Sequence, residues 1–187
     1  MKVLVIVDMQ KDFIDGSLGT PEAQAIVPNV VAKLKAHENT DTLVLFTKDT
    51  HSDNYLNTSE GQKLPVPHCI RGTEGWSICK DIASEFKVGN YIIYSSDSVI
   101  NSRVLKNTFG SYDLLKVLDD DILDIDEIEL CGVCTDICVI SNAIMIKNFF
   151  PDVKVTVDAS CCAGVTPEKH AAALEVMKSC QIDVIGE

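Results

Sequence analysis

Uninterrupted apolar runs alternate along this chain with segments whose apolar positions recur three and four residues apart. Val3-Leu4-Val5-Ile6-Val7 is apolar throughout, the pattern of a strand covered on both faces, and it stops at Asp8. Val27, Val30, Val31 and Leu34 share one face of a helix expected over roughly Ile26 to His37. A second strand is predicted over Thr42 to Thr47. Residues 50–76 carry Gly, Pro, Asn and Ser and read as a long loop, a feature that in compact domains usually serves function. Next come a helix near Ile78 to Phe86 and a strand near Tyr91 to Tyr94. Val99-Ile100 and Val104-Leu105 are short strand fragments, and a helix covers Ser111 to Leu118. The second half predicts a strand over Glu127 to Gly132, a helix over Thr135 to Phe149 capped by Thr135, and a strand over Val153 to Val157. A helix over Thr166 to Ser179 has Thr166 as cap and Pro167 in its first turn, and a last strand runs from Ile182 to Ile185.

This alternation predicts a doubly wound α/β fold, a mostly parallel sheet flanked by helices, with residues 1–187 forming one domain. Such sheets bind ligands beyond the carboxyl ends of their strands, where the strand order reverses. Polar residues that directly follow apolar strands are therefore the candidates. They are Asp8 after the first strand, Asp49 and His51 after the second, and Cys134 to Cys138 after the Glu127 strand.

Composition narrows the partners. A net charge of −12 and the lack of a basic cluster exclude nucleic acid and anionic membrane surfaces as expected partners. The acidic stretch Asp119 to Asp121, with Asp124, Asp126 and Glu127, reads as a solvated loop. No apolar run reaches the length of a membrane span, and the opening run is too short and too soon interrupted for a signal peptide, so a cytoplasmic location is expected. Eight cysteines are many for this length, but most have apolar neighbours and read as reduced core residues.

Cys138 differs from the rest. It would lie in the first turn of a helix that follows a strand, where the positive end of the helix lowers a thiol pKa; the alternative is a small core residue. Asp8, at the end of a buried strand, is costly unless paired, and reads either as a hydrogen-bonded structural carboxylate or as a base beside a thiol. Cys131, Cys134 and Cys138 have a spacing reminiscent of metal ligands, but no fourth ligand or second compact pair accompanies them.

Three stretches carry a family resemblance. Val7-Asp8-Met9-Gln10-Lys11-Asp12-Phe13 resembles the opening D-x-Q-x-D-F motif of the isochorismatase-like cysteine hydrolases. Gly132-Val133-Cys134-Thr135-Asp136-Ile137-Cys138-Val139 resembles their G-V-x-T-D-x-C-V nucleophile motif. Lys106-Asn107-Thr108-Phe109-Gly110-Ser111 is similar to the segment that supplies their lysine, although the stretch before it is longer and more polar than the family usually shows. The resemblance implies a triad of Asp8, Lys106 and Cys138. It also implies a cis peptide between Val133 and Cys134, which turns the Cys134 N–H, with that of Cys138, toward a developing oxyanion.

Asp49-Thr50-His51 is a D-x-H pair whose two side chains would share one side of an extended chain, and Glu60 and His68 follow it on the long loop. Two imidazoles with carboxylates suit zinc, with iron or manganese as alternatives, better than calcium. Pro67-His68-Cys69-Ile70-Arg71-Gly72-Thr73-Glu74-Gly75 resembles the P-H-C-x-x-G-T-x-G motif of nicotinamidases. That resemblance implies one divalent metal held by Asp49, His51 and His68, with Glu60 joining directly or through water. It also implies a small-molecule carboxamide substrate, with Phe13 and Phe109 packing on its ring, and it leaves self-association open. The rival readings are another amidase of the same superfamily, acting on a carbamoyl or ureido compound, and a non-catalytic binding protein on the same fold.

Overall fold

The computed structural model describes residues 1–85, 99–100, 103–120, 122 and 124–187. The strand expected near Tyr91 to Tyr94 lies outside them, as do Phe86, Lys87 and Asp121. Among the described residues, six strands form a parallel sheet: β1 (Lys2–Val7), β2 (Leu43–Asp49), β4 (Arg103–Lys106), β5 (Glu127–Val133), β6 (Lys154–Ala163) and β7 (Asp183–Ile185). A two-residue strand, β3 (Val99–Ile100), adds an antiparallel edge to β4. The order is β3-β4-β2-β1-β5-β6-β7, so the chain builds outward from β1 on one side and then on the other. This is the doubly wound sheet that the sequence predicts.

The two arms of the sheet diverge at β1, which lies between β2 and β5. Val3 to Val7 are fully buried, as an apolar run in a central parallel strand must be. Register brings the strand ends level. Val7 lies opposite Gly132, and Asp49 opposite Lys106. Gly132 has φ +122, and a Cβ there would overlap the Val7 carbonyl, so β1 and β5 approach at a place that only glycine allows.

Helices cover the sheet. α1 (Lys11–Ile14) is a single turn. α2 (Pro21–His37) begins five residues before its predicted start. Its signals were present: Thr20 Oγ1 accepts the Ala23 N–H at 3.0 Å, and Pro21 occupies the first turn. The long loop after β2 contains a 3-10 turn (Tyr55–Asn57) and α3 (Ser59–Lys63), and α4 (Lys80–Glu85) follows it. α5 (Tyr112–Asp120) buries Leu114, Leu115, Val117 and Leu118 and includes Asp119 and Asp120, which were expected in a loop. α6 (Ile140–Phe149) starts later than predicted, because Thr135–Val139 forms a π-helical turn. Thr135 does not cap it: Cys134 occupies the cap position, and the Thr135 hydroxyl is turned toward His170. β6 runs six residues beyond its predicted end, through Ser160, Cys161 and Cys162. α7 (Pro167–Ser179) is capped by Thr166, whose Oγ1 accepts the Lys169 N–H, as expected.

The face of β5 and β6 toward α2 carries a charged cluster. Lys33 on α2 bonds Glu129 on β5 and lies 2.6 Å from Asp158 on β6, while Lys2 lies 2.7 Å from Glu129. Burial opposes ionisation of both carboxyls, but the lysines outweigh it and hold both below their ordinary values of 4.5 and 3.8. Groups depressed in this way stabilise the fold above those ordinary values, and the contribution is lost as pH falls through the lower folded ones. Stability in urea is therefore expected to decline on acidification below about pH 4.5, where the unfolded chain begins to take up protons first. Lys33→Met should flatten or reverse that slope, because unpaired buried carboxyls are relieved by protonation. An unchanged acid limb in Lys33→Met would refute the assignment.

Candidate active site

Four strand ends converge. Asp8 directly follows β1 in a left-handed conformation (φ 49) and is completely buried. Its Oδ1 accepts the Thr47 hydroxyl at 2.7 Å, and its backbone N–H reaches the same hydroxyl oxygen at 3.2 Å. Its Oδ2 forms an ion pair with the Lys106 Nζ at 2.6 Å. Lys106 ends β4. Its ammonium donates to the Cys138 Sγ at 3.4 Å and lies 3.7 Å from the Asp49 Oδ1. Asp8, Lys106 and Cys138, predicted from three separate motifs, thus meet around one buried ammonium.

Charge in this pocket is set by burial and by the lysine. Burial raises the Asp8 carboxyl above its usual range, with Lys106 opposing and Asp49 reinforcing. Lys106 is held protonated: burial alone would lower it, but Asp8, Cys138 and Asp49 raise it. The Cys138 thiol is raised, not lowered as the helix-start argument expected. Burial dominates, Asp8 and Asp49 add to it, and Lys106 offsets only part. The start of a helix cannot hold a thiolate against full desolvation beside two carboxylates. The resting sulfur is a neutral thiol beside the Asp8 carboxyl.

The peptide between Val133 and Cys134 is cis, as the resemblance implied. Asn142 on α6 secures the far side of this turn. Its Nδ2 donates to the carbonyls of Cys138 (2.7 Å) and Phe109 (3.2 Å), and its Oδ1 accepts the Ser111 N–H at 2.9 Å. The nucleophile turn is thereby tied to the segment that follows Lys106. Cys131 is buried in the core and is not part of any ligand cluster among the described residues.

Beside the triad, Asp49, His51 and His68 place their donor atoms within 4.8 Å of one another, all buried. His51 Nε2 is 2.9 Å and His68 Nε2 3.4 Å from the Asp49 Oδ2. Glu60 Oε1 stands 3.9 and 3.8 Å from the two imidazoles. The His68 Nδ1 donates to the Val66 carbonyl at 2.8 Å, which leaves Nε2 as the nitrogen that faces the cluster. Burial alone would raise Asp49, but the His51 and His68 contacts and Lys106 keep its carboxyl well below the ordinary range. Two imidazoles and a permanently ionised carboxylate, with a second carboxylate near, form a donor set that fits a divalent transition metal.

Phe13 is half-buried with its ring 5.5 Å from that of His68, whereas Phe109 is half exposed. A cleft of about 540 Å³ opens against His51, Tyr55 and Glu60, and one of about 410 Å³ against Lys106; Thr50, Arg71 and Asn107 line both, and Phe109 neither. Trp76 donates its indole N–H to Thr50 Oγ1 at 2.9 Å and lies beneath the Lys48 ammonium.

Several supporting residues escaped the sequence reading. Gln10 donates to the Asp49 and Trp76 carbonyls and accepts the Asp49 N–H at 2.7 Å, joining the end of β1 to that of β2. Asp12 accepts the Cys69 N–H at 2.8 Å and so fixes the residue after His68. Both stand in the first motif, which was the available signal. Tyr55 packs edge-on against both histidines, and nothing in the sequence marks it.

Comparison with known proteins assigns the family and supports the fold. The chain belongs to the isochorismatase domain family, whose profile matches residues 2–186. It is 25% identical to a nicotinamidase/pyrazinamidase of Mycobacterium tuberculosis, with 99% of this chain and 98% of that protein covered. Among solved structures, a pyrazinamidase/nicotinamidase from Streptococcus mutans superposes with a TM-score of 0.81 at 26% identity, covering 99% of this chain and 100% of the other. A pyrazinamidase of Pyrococcus horikoshii in complex with zinc shares the fold at a TM-score of 0.73 and 24% identity, covering 100% and 99%. Among the described residues no helix is long and apolar enough to cross a membrane.

Proposed function

We propose that this protein is a metal-dependent nicotinamidase, converting nicotinamide to nicotinate and ammonia through a thioester on Cys138. The observation that carries this reading is the ammonium of Lys106, which lies between the Asp8/Cys138 pair and the Asp49 carboxylate of the donor set. On this reading an acyl-transfer nucleophile stands next to a metal-ligating group.

Asp8 takes the Cys138 proton as sulfur attacks the carboxamide carbon, and Lys106 balances the charge. The tetrahedral oxyanion accepts the N–H groups of Cys134 and Cys138. Asp8 returns the proton to the amide nitrogen, the C–N bond breaks and ammonia leaves. Water then gives a proton to Asp8 and attacks the thioester. Collapse frees nicotinate and the sulfur, which regains its proton from Asp8. Asp49, His51 and His68 would hold the metal, zinc being the first choice and iron or manganese the alternatives, with Glu60 as a direct or water-mediated fourth partner. When bound, the metal supplies a Lewis-acid position for the ring nitrogen. Phe13, with Phe109 at the rim, packs on the ring. We read residues 1–187 as one domain acting in the cytoplasm, a reading supported by eight unpaired cysteines.

Zinc-loaded protein should release ammonia from nicotinamide. Release from a ureido or carbamoyl compound with none from nicotinamide would sink this reading in favour of another amidase. Lys106→Ala should slow turnover by about 100-fold or more, because the cation favours the charged sulfur. It should also slow alkylation of Cys138, and wild-type alkylation in that variant would remove Lys106 from its role.

A further inference from the structure

His170, on α7, belongs to none of the motifs and touches none of the reacting groups. Its Nδ1 lies 2.8 Å from the Thr135 hydroxyl. Thr135 is completely buried, follows the cis-linked Cys134, and stands in the same π-helical turn as Cys138. A second bond runs parallel to the first: Asp136 Oδ1 accepts the Val165 N–H at 2.9 Å. Gly164 fills the gap between them. A Cβ there would stand 2.9 Å from Asp136 Oδ1 and from the His170 Cβ and N, so the start of α7 is packed onto the nucleophile turn without room for a side chain.

The bond has consequences at both ends. Burial lowers the His170 pKa, so the ring is neutral, with one donor and one acceptor nitrogen, and the rotating hydroxyl can complement either tautomer. Without His170 the buried hydroxyl would lose its hydrogen-bond partner, and the turn would have reason to shift so that it found another. Asn142 holds the Cys138 carbonyl, and the Cys134 carbonyl accepts the N–H groups of Ile137 and Val139 at 3.0 and 3.1 Å, but neither reaches the Thr135 hydroxyl. Among the described residues nothing else bonds the Thr135 side chain.

We infer that His170 is a positioning residue, which through Thr135 fixes the Cys134 and Cys138 N–H groups where the oxyanion forms. The inference rests on the acyl-transfer reading above. It requires that loss of the bond slow the chemical step while leaving ring binding and access to the sulfur in place.

The test compares His170→Leu, His170→Asn and Thr135→Val in metal-loaded protein. It reads kcat and KM for nicotinamide, alkylation of Cys138 by iodoacetamide, and the thermal midpoint. Asn keeps a polar atom near the Nδ1 position. His170→Leu should lower kcat on the order of 10-fold, a fraction of the ~100-fold that a 1 Å misplacement costs. KM and alkylation should stay within about 2-fold, since neither depends on the oxyanion donors. His170→Asn should recover most of the loss. The Thr135→Val/His170→Leu double variant should be no slower than His170→Leu, since both changes break one bond. If His170→Leu does not fold, Thr135→Val against His170→Asn decides: a kcat deficit in the first that the second lacks supports the inference, and equal values overturn it. Equal kcat losses in His170→Leu and His170→Asn, or alkylation falling in step with turnover, would mean structural support only and overturn it. Wild-type kcat in His170→Leu would overturn it alone. A wild-type protein inactive on nicotinamide would overturn the functional reading and this inference with it.

Discussion

Cys138→Ala should release no measurable ammonia from nicotinamide while its thermal midpoint stays close to that of the wild type. The sulfur is the atom that the Lys106 ammonium and the Asp8 carboxyl both act on, and among the described residues no other thiol accepts a hydrogen bond from that lysine. Loss of a covalent nucleophile commonly costs about 10⁴-fold or more, because the remaining groups can only bind and polarise the amide. Cys138 makes its packing contacts within a turn held by Asn142 through backbone carbonyls, so removing one sulfur leaves those bonds untouched. Cys131→Ala, Cys161→Ala and Cys180→Ala should keep most of the activity. Substantial hydrolysis by Cys138→Ala would mean that the nucleophile has been misassigned.

Strong chelation should abolish turnover of nicotinamide, and a divalent transition metal should restore it. His51→Ala should lose turnover by on the order of 100-fold, because a ring without its anchor is misplaced by an ångström or more relative to the sulfur. Alkylation of Cys138 by a small reagent should change far less, since the triad makes its own contacts through Lys106 and Thr47. Metal analysis of the purified protein, kinetics and alkylation together read the outcome. Equal loss of turnover and alkylation would show that Asp49, His51 and His68 support the fold. No loss of either would make them an ordinary polar loop, and the assignment would retreat to an unspecified cysteine amidase.

The strands and three of the candidate places were legible because polar residues directly follow apolar runs, whereas Lys106, Glu60 and His68 were marked only by motif resemblance. Asp8 follows β1, Asp49 ends β2 and His51 follows it, and Cys138 follows β5. A polar residue at that position in a parallel sheet has little structural purpose, so it stands out. What failed was governed by tertiary contacts. Thr135 looks like a helix cap, but a partly buried imidazole far along the chain competes for its hydroxyl, and the backbone takes a π-helical turn instead. Cys161 and Cys162 follow Asp158 and Ser160, polar enough to suggest a loop, yet β6 continues because Asp158 is neutralised by Lys33 on a helix distant in sequence. The thiol pKa was misjudged because a helix end is visible in sequence and the depth of burial is not. Gln10 and Asp12 lay in plain view within a motif, and only the structure shows that they brace the neighbouring strand and loop.

The central place of β1 has a consequence for the chain as it is made. β1 finds its first neighbour, β2, about 40 residues later, since Val3 lies opposite Leu43. Its second neighbour arrives only with β5, Lys2 lying opposite Glu127, so one edge of the most apolar strand waits for some 125 residues of synthesis. During ribosomal synthesis at roughly 5 to 20 residues per second, that wait lasts about 6 to 25 seconds. For this interval Val3 to Val7 can pair with another nascent chain as readily as with their own. The strand that closes this edge also delivers the nucleophile, so the end of the aggregation-prone interval and the first appearance of a complete triad are the same event.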